Sequence, residues 1–94
     1  MVLPYKIMST RFLWDNRNLE HIAEHGMTPA LWEHVFNVAT RRGPDKDDAT
    51  VILAEGRVRG QLYRLFYSVL EDGTVLPFSI LPITGFPIER RGLR

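Results

Sequence analysis

Residues 14–26 read Trp-Asp-Asn-Arg-Asn-Leu-Glu-His-Ile-Ala-Glu-His-Gly, and this stretch decides the fold. Asp15 or Asn16 is suited to cap the start of a helix, and Gly26 is suited to end it in the left-handed conformation. The apolar residues between them recur at the i, i+3, i+4 spacing of one helix face: Leu19, Ile22 and Ala23. We therefore predict a helix over residues 16–25 that buries this stripe.

A second helix follows directly. Thr28 is a good N-cap, and Pro29 is tolerated as the first helical residue. Met27 and Trp32 have the spacing of a hydrophobic staple around that cap. The predicted buried stripe is Leu31, Trp32, Val35 and Phe36. Because only two residues separate the helices, we expect a tight helical corner.

The remaining elements read as strands. A short edge strand is predicted at residues 11–14, and residues 41–48 read as a polar, mobile loop. Asp72-Gly73 predicts a two-residue hairpin turn, and Pro77 and Pro82 make the strand after it an edge strand or an irregular one. The other predicted strands are residues 38–40, 51–54, 61–70 and 74–80.

This element order predicts one α+β domain over residues 1–94, with two N-terminal helices packed on one face of a small antiparallel sheet. Residues 1–10 are expected to form an arm, and residues 84–94 a polar tail. The long strand at 61–70 is apolar on both of its alternating faces, which is typical of a central strand.

Composition narrows the class of protein. The chain has no cysteine, so it has no disulfide and no thiol nucleophile. It has no apolar run near 18 residues and no recognisable signal peptide, so we expect a cytoplasmic protein without membrane contact. The net charge is only +1, but residues 57–94 carry six arginines against three acidic residues. Arginine contacts phosphate in a bidentate manner, which favours a phosphate-contacting face.

Arg64 is the one charge inside the long strand, and a charge there needs a partner or a position at the rim. Two interpretations follow. Either Arg64 pairs with one of three acidic residues, Glu24, Glu33 or Glu71, or it holds a phosphate.

His21 and His25 lie one helical turn apart, which permits two kinds of chemistry. Residues 21–25 spell His-x-x-Glu-His, a zinc-binding pattern of some proteases, but that pattern needs a downstream acidic ligand and a far longer chain. Imidazoles also transfer protons near neutral pH. We predict the second role, with no metal and no cofactor.

Three segments resemble the BrnT-type toxin family. They are Phe12-Leu13-Trp14-Asp15, then His25-Gly26-Met27, then Trp32-Glu33-His34-Val35-Phe36. The similarity continues more generically through the turn at 57–60, the hairpin at 70–75 and the tail, where Ile83-Thr84 precede Glu89-Arg90-Arg91. It covers roughly residues 12–91 of the chain.

The resemblance implies a RelE-like fold, toxicity by RNA cleavage, and neutralisation by a cognate DNA-binding antitoxin. On this basis His25 matches the histidine at the family's helix end, and Glu89, Arg90 and Arg91 match its tail motif. Arg64 takes the place of a basic residue on the long strand by position rather than by motif. An oligomer is compatible with the sequence.

The chain departs from the family after its last strand, where Thr84-Gly85-Phe86-Pro87 replace an Ala-Arg pair. Two functions therefore stay open. The first is a metal-independent ribonuclease, in which His25 or His21 transfers protons and arginines hold the phosphate. Its predicted RNA contacts, beside Arg64, are Arg57, Arg59, Glu89, Arg90 and Arg91. The second is a non-catalytic module that binds a protein or a nucleic acid.

Overall fold

A computed structural model describes residues 10–84 of the chain. The elements follow in the order α1 (Asn16–Glu24), α2 (Pro29–Val38), β1 (Arg41–Pro44), β2 (Ile52–Val58), β3 (Gln61–Val69) and β4 (Val75–Ile83). The predicted tail beyond residue 84, and the predicted arm up to residue 9, lie outside the described residues.

The four strands form one antiparallel sheet in the order β1-β2-β3-β4. Helix α1 packs against β4, and α2 packs against β2 and β3. One buried core joins the helices to one face of the sheet: Ile22, Trp32, Val35, Ala54, Leu65, Tyr67, Val75 and Ile80. The predicted α+β class, with two helices preceding an antiparallel sheet, is confirmed, and so is the central position of the long strand.

Helix α1 begins as its sequence predicts. Asp15 accepts a hydrogen bond from the backbone N–H of Asn18, and the Asn18 side chain accepts one in return from the backbone of Asp15. The helix ends before Gly26, whose φ of 75° is the left-handed conformation expected there. One residue of the predicted stripe is wrong, because Ala23 is exposed while Ile22 is fully buried.

Helix α2 also follows its local signals. The Thr28 hydroxyl accepts a hydrogen bond from the backbone N–H of Leu31, and Pro29 is the first helical residue. Trp32 and Val35 are fully buried, and Leu31 and Phe36 pack against the core at its edge.

Asn18 is the one buried polar residue among those described. Its amide nitrogen donates to two carbonyl oxygens, that of Leu13 at 2.9 Å and that of Pro77 at 3.2 Å. The first lies in the segment before α1 and the second in β4. Asn18 therefore links three parts of the chain through one side chain whose donors and acceptor are all used.

Three predicted strand features differ from the structure. Strand β1 forms at Arg41–Pro44, not at 38–40, so it lies inside the predicted mobile loop. The Asp72-Gly73 connection is a longer loop closed by a hydrogen bond from the Leu70 N–H to the Thr74 carbonyl. The predicted strand at 11–14 shrinks to a single parallel bridge between Phe12 and Val75. As predicted, the proline-containing strand β4 is an edge strand, and its pairing with β3 is irregular near residues 66 and 67.

No helix among residues 10–84 has the length and apolar character needed to cross a membrane.

Gly56 sets how closely α2 approaches the sheet. A Cβ atom at this position would lie 2.9 Å from the Val35 carbonyl oxygen and 3.1 Å from the Ala39 Cα, both of which are backbone atoms. We therefore expect Gly56→Ala to lower the free energy of unfolding by about 1–3 kcal/mol, measured by urea denaturation. Gly43→Ala is the matched control in β1, since nothing lies within 4 Å of its added Cβ. Equal stability of the two variants would contradict this close approach.

Asn18→Asp tests the buried link. The carboxylate cannot donate to the Leu13 and Pro77 carbonyls, so we expect unfolding to become easier by about 2–3 kcal/mol. Asn16→Asp is the same chemical change at the first, exposed position of α1, where a negative charge is favourable, and should shift stability by no more than about 0.5 kcal/mol. Thermal melting at neutral pH compares them, and similar losses in both would rule out the link.

Candidate nucleic-acid interface

The face of the sheet that turns away from the helices carries four of the five charged residues of the strands, and the fifth, Arg42, lies on the helix side. Arg41, Glu55 and Arg64 are register partners on β1, β2 and β3, so they form one row across the sheet. Arg57 lies two residues beyond Glu55 on the same face. We call this the outer face. Its charged residues are three arginines and one glutamate, so it is positively charged.

Glu55 and Arg64 form the most ordered contact of the row. The Arg64 Nε and Nη2 atoms lie 2.9 Å and 2.7 Å from one carboxylate oxygen of Glu55. The Glu55 side chain is 20% exposed and that of Arg64 is 40% exposed. Arg41 lies 4.0 Å from the other carboxylate oxygen and is 81% exposed. Arg64 therefore pairs with Glu55, and not with Glu24, Glu33 or Glu71, the three acidic residues that the sequence suggested. The Arg41 guanidinium remains largely exposed to solvent.

A shallow cavity of about 360 Å³ lies over this row at the β1 end. Its lining combines the charged row with the side chain of Leu53 and the backbone of β1. A second hollow of about 460 Å³ continues along the same strands past Arg57 and Leu62. The two depressions share Arg41 and Glu55, and their cationic and apolar linings suit an extended chain carrying phosphates and bases.

Arg57 lies near the end of β2, and Arg59 lies in the two-residue turn that joins β2 to β3. Arg59 has a φ of 53° and Gly60 a φ of 84°, the pair of positive values that a two-residue type I′ hairpin requires. Arg57 donates to the Gly60 carbonyl and so braces this turn. Both arginines are exposed, but Arg57 is on the outer face and Arg59 at the tip of the turn.

His21 and His25, the residues predicted to transfer protons, do not lie on the outer face. His21 on α1 and His25, the C-cap of that helix, are exposed, with ring centroids 5.3 Å apart. Helix α1 packs on the side of the sheet that buries Leu65, whereas Arg64 projects from the opposite side. The structure therefore does not bring His25 and Arg64 together. The predicted tail contacts Glu89, Arg90 and Arg91 lie outside the described residues.

Sequence reasoning missed Glu55 and Arg41 as members of the site. Glu55 could have been found from the sequence, because a two-residue turn at 59–60 places residue 55 opposite residue 64 in the register of the hairpin. No comparable signal existed for Arg41, since its strand was not predicted.

Residues 10–84 contain no group of three or more His, Asp or Glu side chains placed to hold a metal ion. Two carboxyl groups in the described part of the chain, both in loops, have a shifted pKa. A side-chain hydrogen bond from Thr50 holds the pKa of Asp48 below its usual range. The backbone N–H of Thr74 does the same for the pKa of Asp72. These carboxylates stabilise turns and lie apart from the row on the outer face.

No protein-family model, curated protein or solved structure shows significant similarity to this chain.

The ion pair of the outer face can be tested against a second pair in the same chain. A double-mutant cycle on Glu55→Gln and Arg64→Met should give a coupling of about 1 kcal/mol, because both side chains are partly shielded from water. The control cycle is Arg11→Met with Asp72→Asn, whose side chains are 69% and 61% exposed, and it should give a clearly smaller coupling. Urea denaturation measures both, and no difference between them would contradict an ordered row.

Proposed function

We propose that this chain is a ribonuclease toxin of the BrnT type, the RNA-cleaving component of a toxin–antitoxin system, and that it binds RNA on the outer face of its sheet. The observation that carries the proposal is the row of Arg41, Glu55 and Arg64. It sets two cations on either side of one carboxylate on an open surface. The resemblance over residues 12–91 supplies the class of toxin.

The row contains two of the three kinds of group that metal-independent RNA cleavage needs, a base and cations, and solvent supplies the acid. A base must take the proton of the 2′-hydroxyl, and cations must stabilise the charge on the phosphate as it becomes five-coordinate. We assign the base to Glu55 and the phosphate contacts to Arg41 and Arg64. As O2′ bonds to phosphorus, the bond from phosphorus to O5′ breaks, and the leaving oxygen takes a proton from solvent.

This assignment changes the role given to the histidines. An RNA strand on the outer face is separated from His21 and His25 by the sheet and by α1. Arg57 extends the phosphate contacts along the face, and Arg59 at the turn contacts the strand as it leaves. The neutralising partner is a DNA-binding antitoxin, as the resemblance implies.

A second candidate is a non-catalytic binding module. One observation favours it: Arg64 uses two of its donor atoms on Glu55, so the pair neutralises itself in the absence of a ligand. In this case the outer face binds RNA or a protein without cleaving anything.

Induced expression in bacteria separates the candidates. For the toxin, wild type and His25→Ala should arrest growth and fragment total RNA, whereas Glu55→Gln and Arg64→Ala should not. With purified protein, the rate of RNA cleavage should fall by about a hundredfold or more in the Glu55→Gln variant. Melting curves of each variant establish that it folds.

The opposite results are equally informative. If wild type is harmless and RNA stays intact while purified protein still binds RNA, the binding module is correct. If His25→Ala abolishes toxicity and Arg64→Ala does not, the active site lies on the helix side and the outer face is not involved.

A further inference from the structure

Strand β1 is an edge strand, and a cavity opens on each side of it. The outer cavity covers the charged row. A second cavity of about 290 Å³ lies on the helix side, between β1, the loop that follows it and β3, and we call it the edge cavity. Its lining is Arg42, Gly43, Pro44, Ala49, Ile52 and Tyr67. Three of these residues, Arg42, Gly43 and Pro44, also line the outer cavity, so the two cavities meet at the same edge of the sheet.

The Tyr67 hydroxyl lines the edge cavity and has a proton that it can donate to a ligand. Tyr67 is only 3% exposed, and its oxygen accepts a hydrogen bond of 3.0 Å from Arg42 Nη1. Among the hydrogen bonds of residues 10–84, this hydroxyl accepts from Arg42 and donates to none. A buried hydroxyl usually donates as well as accepts, so this proton is available for a ligand in the cavity.

Arg42 adds further donors. Its guanidinium lies 4.4 Å from the centre of the Phe36 ring and also donates to the Phe36 carbonyl at the end of α2. With the bond to Tyr67, two of the five guanidinium N–H groups are used, and three remain. The polar side chains of the edge cavity therefore offer donors, and its other walls, from Pro44, Ala49 and Ile52, are apolar.

Among the RNA bases, guanine fits this arrangement best. Its O6 and N7 atoms are two adjacent acceptors, whereas adenine places an amino group beside N7, cytosine presents an amino group, and uracil has an N3–H donor between its two carbonyl oxygens. Arginine bonded to O6 and N7 is the commonest specific contact to guanine. A volume near 290 Å³ is at the small end for ligand pockets, which suits one base rather than a larger group.

We propose that the edge cavity binds a guanine base of the RNA whose phosphate lies on the outer face. The nucleotide crosses the edge of β1, with its phosphate toward Arg41 and Arg64 and its base toward Arg42 and Tyr67. This inference rests on the proposed function and names the base for which the site selects.

The test compares two short single-stranded RNAs that carry one guanosine or one adenosine in a uridine background. Fluorescence anisotropy should give about tenfold tighter binding of the guanosine RNA to wild type. Tyr67→Phe keeps the aromatic ring and removes the donor, so it should reduce this preference severalfold while leaving the affinity for the adenosine RNA unchanged. Ala49→Leu should fill the cavity and remove the preference. Ala23→Leu is the matched control on the exposed side of α1 and should keep it.

Equal affinities for the two RNAs, or a preference that neither Tyr67→Phe nor Ala49→Leu alters, would overturn the inference while RNA binding itself remains. Titration with guanosine and adenosine monophosphates tests the base pocket independently of the proposed RNA function. If neither RNA binds but the guanosine nucleotide does, and Tyr67→Phe weakens it, the base pocket is correct and the RNA function is not. If nothing binds, both are wrong.

Discussion

The fold depends on the burial of one side chain, the indole of Trp32. It is fully buried in the core, and its N–H donates to the carbonyl of Ser79 on β4 at 3.0 Å. Its ring lies within 6 Å of four other aromatic rings, those of Phe12, Trp14, Phe36 and Tyr67. These residues come from the segment before α1, from α2 and from β3. A large apolar surface with one satisfied polar atom thus joins α2 to the segment before α1, to β3 and to β4.

This arrangement determines where chemistry can occur. Both helices must lie on the side of the sheet that buries Trp32, and the close approach at Gly56 leaves no room for a side chain between α2 and β2. Strand residues that alternate with the buried ones therefore face away from the helices. That side carries the one acidic residue found within the four strands, Glu55, with Arg41, Arg57 and Arg64 around it. Segregation of the core to one face leaves a charged surface on the other.

Local sequence signals predict much of the fold, and the features that they do not predict have physical reasons. The caps at Asp15 and Thr28 form within a single turn of chain, so their residues alone predict them. Arg41–Pro44 has no intrinsic preference for a strand, and it becomes one because β2 offers unpaired backbone groups. A two-residue turn at residues 59 and 60 fixes the register of β2 against β3, so the Glu55–Arg64 pair could have been predicted from the sequence. The separation of the histidines from Arg64 could not be predicted from local sequence, because it depends on which face of the sheet the helices cover.

We propose that RNA binds the outer face of the sheet and not the helix that carries the histidines. A titration of ¹⁵N-labelled protein with a short single-stranded RNA, followed by two-dimensional NMR, distinguishes the two surfaces. The backbone amides of Arg41, Glu55 and Arg64 should shift in a saturable manner, while those of His21 and His25 should not. Saturable shifts confined to α1 around the two histidines would contradict RNA binding on the outer face.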